Sequence, residues 1–182
     1  KEGNNVLTLK IFRWSTGSYL ECQDFWRISG IERDVFLYSQ PKASVQDFRI
    51  VSTLDDSYRN GIFRLDVELK NHRTNTAGLS IGYELLDNNG KVVANGEETV
   101  DVLAGKEGTV SFSKELPEVK TWTSEAPNLY KLLMTVKENG KVTEVIPYNV
   151  GFRRIEIKEI DQKGTNGKNY HVSADLTRRI GK

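Results

Sequence analysis

Four aromatic residues, Trp14, Tyr19, Phe25 and Trp26, stand among Glu21, Asp24, Arg27, Arg33 and Asp34, in a segment punctuated by Gly17 and Gly30. That mixture fits the chemistry of holding a sugar. Aromatic faces stack on the C–H side of a pyranose ring, while carboxylates and guanidinium groups bond its hydroxyls. It also fits a long loop whose aromatics anchor it to its own domain. Composition alone leaves both readings open.

Elsewhere, residue types capable of covalent or acid–base work are poorly placed. Glu97 and Glu98 are neighbours on an expected strand, so they point to opposite faces and cannot clamp one bond. They read as solvated edge charges. His72 lies in the polar run 70–76 and His171 in the C-terminal tail, neither near a Gly-x-Ser-x-Gly sequence. Cys22 is the single cysteine, so no internal disulfide forms, and it reads as a packed, inert thiol. Asp87-Asn-Asn-Gly90 superficially matches a calcium loop. Lys91 and Val92 then fall where an oxygen ligand and a glycine are needed, which makes it a hairpin turn. Zinc-ligand spacing and a glycine-rich phosphate loop are both missing from the sequence.

The 182 residues carry 26 basic and 25 acidic side chains, a formal charge of +1. This balance gives no electrostatic reason to expect nucleic acid or an anionic membrane as a partner. No apolar run approaches the roughly 20 residues of a membrane-spanning helix.

Period-two alternation dominates the elements that must position the aromatic segment. In Ile62–Lys70, Phe63, Leu65, Val67 and Leu69 share one face, and Arg64, Asp66, Glu68 and Lys70 the other. This predicts a half-buried antiparallel strand. Similar runs at Val6–Phe12, Ile31–Tyr38, Phe48–Leu54, Leu79–Leu86, Thr109–Leu116 and Tyr130–Lys137 predict further strands. Asn-Gly pairs at 60–61, 89–90, 95–96, 139–140 and 166–167 supply turn chemistry, because both residues tolerate positive φ. Hairpins are expected around Asn89-Gly90 and Asn139-Gly140. The fold class is therefore all-β, an antiparallel sandwich of immunoglobulin type from about Ala43 to Ile157. Pro41 marks a linker before it. Residues 1–41 offer two or three strands and one loop, too little to bury a core. The tail beyond Glu159 reads as a loop followed by a frayed helix or a disordered end.

The run Arg13-Trp-Ser15, Gly17-Ser-Tyr-Leu-Glu21, Gln23-Asp24, Trp26-Arg27, Ser29-Gly-Ile31 and Arg33-Asp-Val35 closely resembles one in glycoside hydrolase family 2. That family contains the β-galactosidases and β-glucuronidases, and there the run closes a sugar-binding jelly roll. Trp122-Thr-Ser-Glu-Ala-Pro-Asn-Leu-Tyr130 resembles a run late in the following immunoglobulin-like domain. Val150-Gly-Phe-Arg153 resembles the strand leading into the catalytic barrel. The three pieces keep the family's order and cover about Asn4 to Ile157.

The resemblance implies three segments. Residues 1–41 are the C-terminal remnant of the jelly roll, 42–157 the immunoglobulin-like sandwich, and 158–182 an irregular tail toward a barrel outside these residues. It implies a retaining β-glycosidase of galactosidase type in which both catalytic carboxylates lie on that barrel, so no catalytic residue is assigned here. Asp24 matches an acidic position facing the sugar pocket and is the first candidate substrate contact. Trp14 is a second, shaping the pocket or bracing the loop. Thr16 stands where the galactosidases carry an Asp that contacts a galactose hydroxyl and a sodium ion. A neutral hydroxyl is a poor ligand for a hard cation, which counts against the sodium site and strict galactose specificity. Magnesium is the family's other ion, and this segment supplies no ligand for it. Expected partners are the barrel and the rest of the jelly roll of the same chain, a carbohydrate substrate and, through unpaired strand edges, a second copy of the chain. Trp122, Pro127 and Tyr130 are expected to be structural. A stand-alone immunoglobulin-like carbohydrate-binding or adhesion module is the alternative, and a purely structural spacer a third reading.

Overall fold

The computed structural model describes residues 3–20, 30–31, 33–163 and 169–175. It divides into two compact units, Lys1–Ser39 and Gln40–Lys182.

The second unit is organised by the strand with the cleanest alternation. β1 (Ala43–Leu54) pairs antiparallel with β2 (Gly61–Asn71), and β2 pairs on its other side with β5 (Glu107–Leu116). Phe63, Leu65, Val67 and Leu69 of β2 are fully buried, and the charged residues between them face outward. The second sheet has the order β4-β3-β6-β7, from β3 (Ala77–Leu86), β4 (Val92–Val102), β6 (Tyr130–Glu138) and β7 (Lys141–Val150). Leu79, Ile81, Tyr83 and Leu85 on β3, with Leu132, Met134 and Val136 on β6, form its inner face. One core joins the sheets. Phe63 and Phe112 reach across to Tyr83, with ring centroids 5.4 and 4.9 Å from it. The alternating runs thus become two antiparallel sheets packed as a sandwich on one core.

Two of the Asn-Gly pairs turn the chain as expected. Asn139 and Gly140 take φ of 50° and 74° between β6 and β7. Gly90, at φ 78°, turns β3 into β4, and Asp87 Oδ1 accepts the N–H groups of Asn89 and Lys91 at 2.8 and 3.0 Å. Asn95-Gly96 does not turn. It lies inside β4, opposite Glu84 and Tyr83. A Cβ at Gly96 would sit 2.8 Å from the Tyr83 ring, so the missing side chain there makes room for the core tyrosine. Asn60-Gly61 is not the β1–β2 turn itself: Tyr58 holds the positive φ, and Gly61 begins β2. Asn166-Gly167 lies outside the described residues.

Three further expectations are corrected. Residues 6–12 and 33–38 run without a hydrogen-bonded ladder, and Val6, Leu7, Leu9, Ile11, Phe12, Val35, Phe36, Leu37 and Tyr38 are exposed. Alternation prepares a strand, but only a neighbouring strand satisfies its backbone. A five-residue helix, α1 (Thr16–Leu20), occupies part of the segment expected to be loop. The tail is not irregular where it is described: β8 (Ile157–Lys163) and β9 (Asn169–Asp175) pair antiparallel as a hairpin.

A polypeptide of residues 42–157 is expected to melt in one cooperative transition, because it contains the whole described core. Within it, Leu65→Ala should cost roughly 2–5 kcal/mol, read from the shift in a urea midpoint at constant slope. A broad, non-cooperative melt would show that the boundary near Pro41 is misplaced.

Candidate functional site

The aromatic segment is described as far as Leu20. Ser15 and Ser18 shape it locally. The Ser18 N–H donates to Ser15 O at 3.0 Å, the Ser15 N–H donates to Ser18 Oγ at 3.2 Å, and Ser18 Oγ donates to Arg13 O at 3.1 Å. These short-range bonds close the first turn of α1 and replace backbone partners that so short a helix lacks. The turn folds Trp14 and Tyr19 together, with ring centroids 6.4 Å apart and planes tilted by 35°. The Arg13 guanidinium lies over the Trp14 ring, 5.5 Å from its centroid. Trp14 is 54% and Tyr19 73% exposed, so the pair presents an aromatic surface with a cation beside it. Thr16 is the exposed first residue of α1. Trp14 and Thr16 therefore share one short turn. Asp24, with Glu21, Cys22, Phe25, Trp26 and Arg27, lies outside the described residues. Among the described residues no cluster of three or more His, Cys, Asp and Glu side chains forms a metal-ligand set.

The sandwich places its other candidates in structural roles. Glu97 projects from β4 onto the outer face of its sheet, where Ser80 Oγ donates to it and Lys137 Nζ donates at 2.9 Å. The Ser80 bond and then the Lys137 ammonium hold its carboxyl below the usual range. Such a group stays ionised near neutral pH and cannot serve as a general acid. It borders a shallow groove of about 580 Å³ lined by Gly78, Ser80, Thr99, Asp101 and Lys137. His72 is exposed in the β2–β3 connection, and its N–H donates to Lys42 O at 2.7 Å. The side chain of His171 is not described.

At the far end of the sandwich, the Trp122 N–H donates to Phe152 O at 2.9 Å, and Trp122 bridges Pro127. A Cβ at Gly151 would meet Trp122 Cβ at 3.1 Å, so the indole lies close over that backbone. The Arg153 guanidinium covers the indole at 5.1 Å. Tyr130 is buried edge-on against Phe152, with ring centroids 5.2 Å apart. Its Oη accepts the Lys120 N–H at 2.9 Å. Trp122, Pro127 and Tyr130 thus tie the long β5–β6 connection to the segment that follows β7 out of the sandwich.

Reading from sequence missed Asn71, placed within a polar loop. It is completely buried. Its Nδ2 donates to the carbonyls of Asn75 and Val102 at 2.8 and 2.9 Å, and its Oδ1 accepts the Arg73 N–H at 2.9 Å. Its polar neighbours hid it, and a single sequence holds no signal that separates it from them.

Comparison with known proteins agrees with this architecture. Residues 43–153 match the model of glycosyl hydrolases family 2, and residues 1–41 match that family's sugar binding domain. A β-galactosidase of Streptococcus thermophilus is 41% identical over 162 residues, covering 87% of this chain and 15% of that protein. One from Halalkalibacterium halodurans is 43% identical over 158 residues, covering 86% of this chain and 15% of its own length. The crystal structure of a Bacteroides uniformis β-glucuronidase superposes with a TM-score of 0.70 at 21% identity, over 82% of this chain and 19% of that one. The chain thus spans about one seventh of the length of these curated relatives. With family models matching its sandwich and its aromatic segment alike, the chain belongs to glycosyl hydrolases family 2.

Proposed function

We propose that these 182 residues are the scaffold and sugar-pocket-loop portion of a retaining β-glycosidase of galactosidase type. Identity of 41–43% to curated β-galactosidases over 86–87% of this chain carries this reading. The exposed stack of Trp14, Tyr19 and Arg13 agrees with it, since an aromatic surface beside a hydrogen-bonding cation suits a sugar. The chain supplies scaffold and a pocket loop to a catalytic barrel contributed by another part of the same protein, and the two reacting carboxylates belong to that barrel. Asp24 bonds a substrate hydroxyl, Trp14 shapes the pocket, and Thr16 leaves the sodium position without a carboxylate.

The test is kinetic. The longer polypeptide containing this sequence should hydrolyse a chromogenic β-galactoside, and the 182-residue chain alone should not. In the longer polypeptide, Asp24→Ala should lower kcat/KM by about 10- to 100-fold, the worth of roughly 1.4 to 2.7 kcal/mol in a lost hydrogen bond to a charged group. Specific activation by sodium should be small, and should appear in Thr16→Asp. Turnover by the 182-residue chain that co-purifies with it would overturn the scaffold role. Preference for a β-glucuronide would overturn the galactosidase assignment.

A further inference from the structure

The turn between β1 and β2 is more elaborate than a reversal of chain direction needs. Asp55 organises it. Its Oδ1 accepts Ser57 Oγ at 2.7 Å and the N–H groups of Arg59 and Asn60 at 3.3 and 3.2 Å, and Oδ2 accepts Asn60 Nδ2 at 2.8 Å. The Ser57 bond leads the contacts that lower its pKa to about 2. Within this frame Tyr58 takes φ 58°, an uncommon conformation for a residue with a Cβ and a bulky ring. Glycine would fill the position without strain.

What the tyrosine does there is visible in its partners. Its Oη donates to Glu156 Oε2 at 3.0 Å, and the Arg154 guanidinium lies over its ring, 5.3 Å from the centroid. Arg154 Nε bonds the other oxygen of Glu156, and Nη1 donates to Asp56 Oδ1 at 2.7 Å. The Asp56 bond is the leading cause of a raised Arg154 pKa, followed among the attractions by Glu156. The Asp56 side chain is 97% exposed and Glu156 only 18%, so water screens the first contact more than the second. Residues 153–156 follow the last strand of the sandwich and belong to no strand themselves. Nearby, Ser52 Oγ donates to Gly151 O at 2.9 Å.

We propose that the β1–β2 turn is a latch, in which Tyr58 and Asp56 grip Arg154 and Glu156 and so fix the direction in which the chain leaves the sandwich. The strained tyrosine is kept because only a long side chain carrying both a ring face and a hydroxyl engages the two charged partners together. The latch holds whether or not the glycosidase reading is correct, since it rests on contacts within one unit. Beyond the Arg153 N–H, which donates to Ser52 O at 3.5 Å, it gives this stretch, residues 153–156, the rigidity of a strand without a continuous ladder.

The experiment measures backbone ¹⁵N order parameters in the 182-residue chain and in Arg154→Ala, Tyr58→Phe and Tyr58→Gly. In the unaltered protein, residues 153–156 should lie near the rigid value of about 0.85. They should fall toward about 0.6 in Arg154→Ala and Tyr58→Gly and by less in Tyr58→Phe, which keeps the ring and loses the hydroxyl, while β1–β7 stay unchanged. Tyr58→Gly removes the backbone strain, so it decides the matter even if Arg154→Ala fails to fold. Unchanged order at 153–156 in Tyr58→Gly would overturn the proposal, as would low order in the unaltered protein.

Discussion

Replacing Phe152 with alanine is expected to destabilise the sandwich by about 3–5 kcal/mol. Phe152 stands outside the seven strands of the two sheets, yet it is among the largest fully buried side chains. It closes the end of the core by packing edge-on against Tyr130, with the rings at 89°. Its ring also reaches the first residue of β2: a Cβ at Gly61 would sit 2.8 Å from two Phe152 ring atoms and 2.8 Å from Val119 Cγ1. Gly61→Ala should therefore overpack this end and cost about 1–3 kcal/mol. The two changes should not add. The cavity left by the missing ring admits part of the new methyl group, so the double variant should be more stable than the sum by at least about 0.5 kcal/mol. Urea unfolding followed by tryptophan fluorescence, with Trp122 adjacent, measures all three. Additivity would show that the Phe152 ring does not confine position 61.

Asn71→Leu should cost about 3 kcal/mol although it adds apolar volume to a buried site. The side chain holds the end of β2 to the β2–β3 connection and to the last residue of β4, and the Asn71 N–H donates to Lys106 O at 3.1 Å. Leucine leaves two carbonyls and the Arg73 N–H without these partners, and each buried unsatisfied group costs about 1–3 kcal/mol before relaxation. Asn71→Asp adds a test of sign. Its carboxylate would face the carbonyl oxygens of Asn75 and Val102, so the folded protein prefers it protonated and raises its pKa. A raised carboxyl contributes stability below its unfolded value of about 3.9 and loses it as pH rises through the folded value. The difference from the parent protein should therefore grow between acid and neutral pH in thermal melts. A pH-independent difference would show that the carboxylate has found water.

Most of the sandwich was legible because its central strands are amphipathic in the plainest way. β2, β3 and β6 alternate without a break, since each is flanked by strands on both sides and faces the core with every second residue. The edges were harder. In β4 only Ala94 and Val102 are buried, and its remaining positions carry no period from which a strand could be read. β7 is interrupted by a register shift opposite Val136 and Lys137. Residues 6–12 show the opposite failure: alternation was present, but among the described residues no neighbouring strand turns it into a ladder. Of the candidate sugar contacts, Trp14 and Thr16 fall in one turn, where their adjacency in sequence put them. Asn71 and Tyr58 escaped notice for a common reason. Each acts through partners distant along the chain, Val102 for one and Glu156 for the other, and a single sequence does not record such pairings.

The incoming and outgoing ends of the sandwich are fastened at opposite ends of β1. At its start, Glu144 of β7 accepts the Val45 N–H at 3.0 Å and Gln40 Nε2 at 3.2 Å. Near its finish, Ser52 holds Gly151. Tension applied through the flanking chain would therefore draw β1 lengthwise past β2. The hydrogen bonds of their eleven paired positions lie across that direction. They would be loaded together in shear, not opened one after another like a zip, and the sandwich should resist pulling far more strongly along the chain than peeling from an edge.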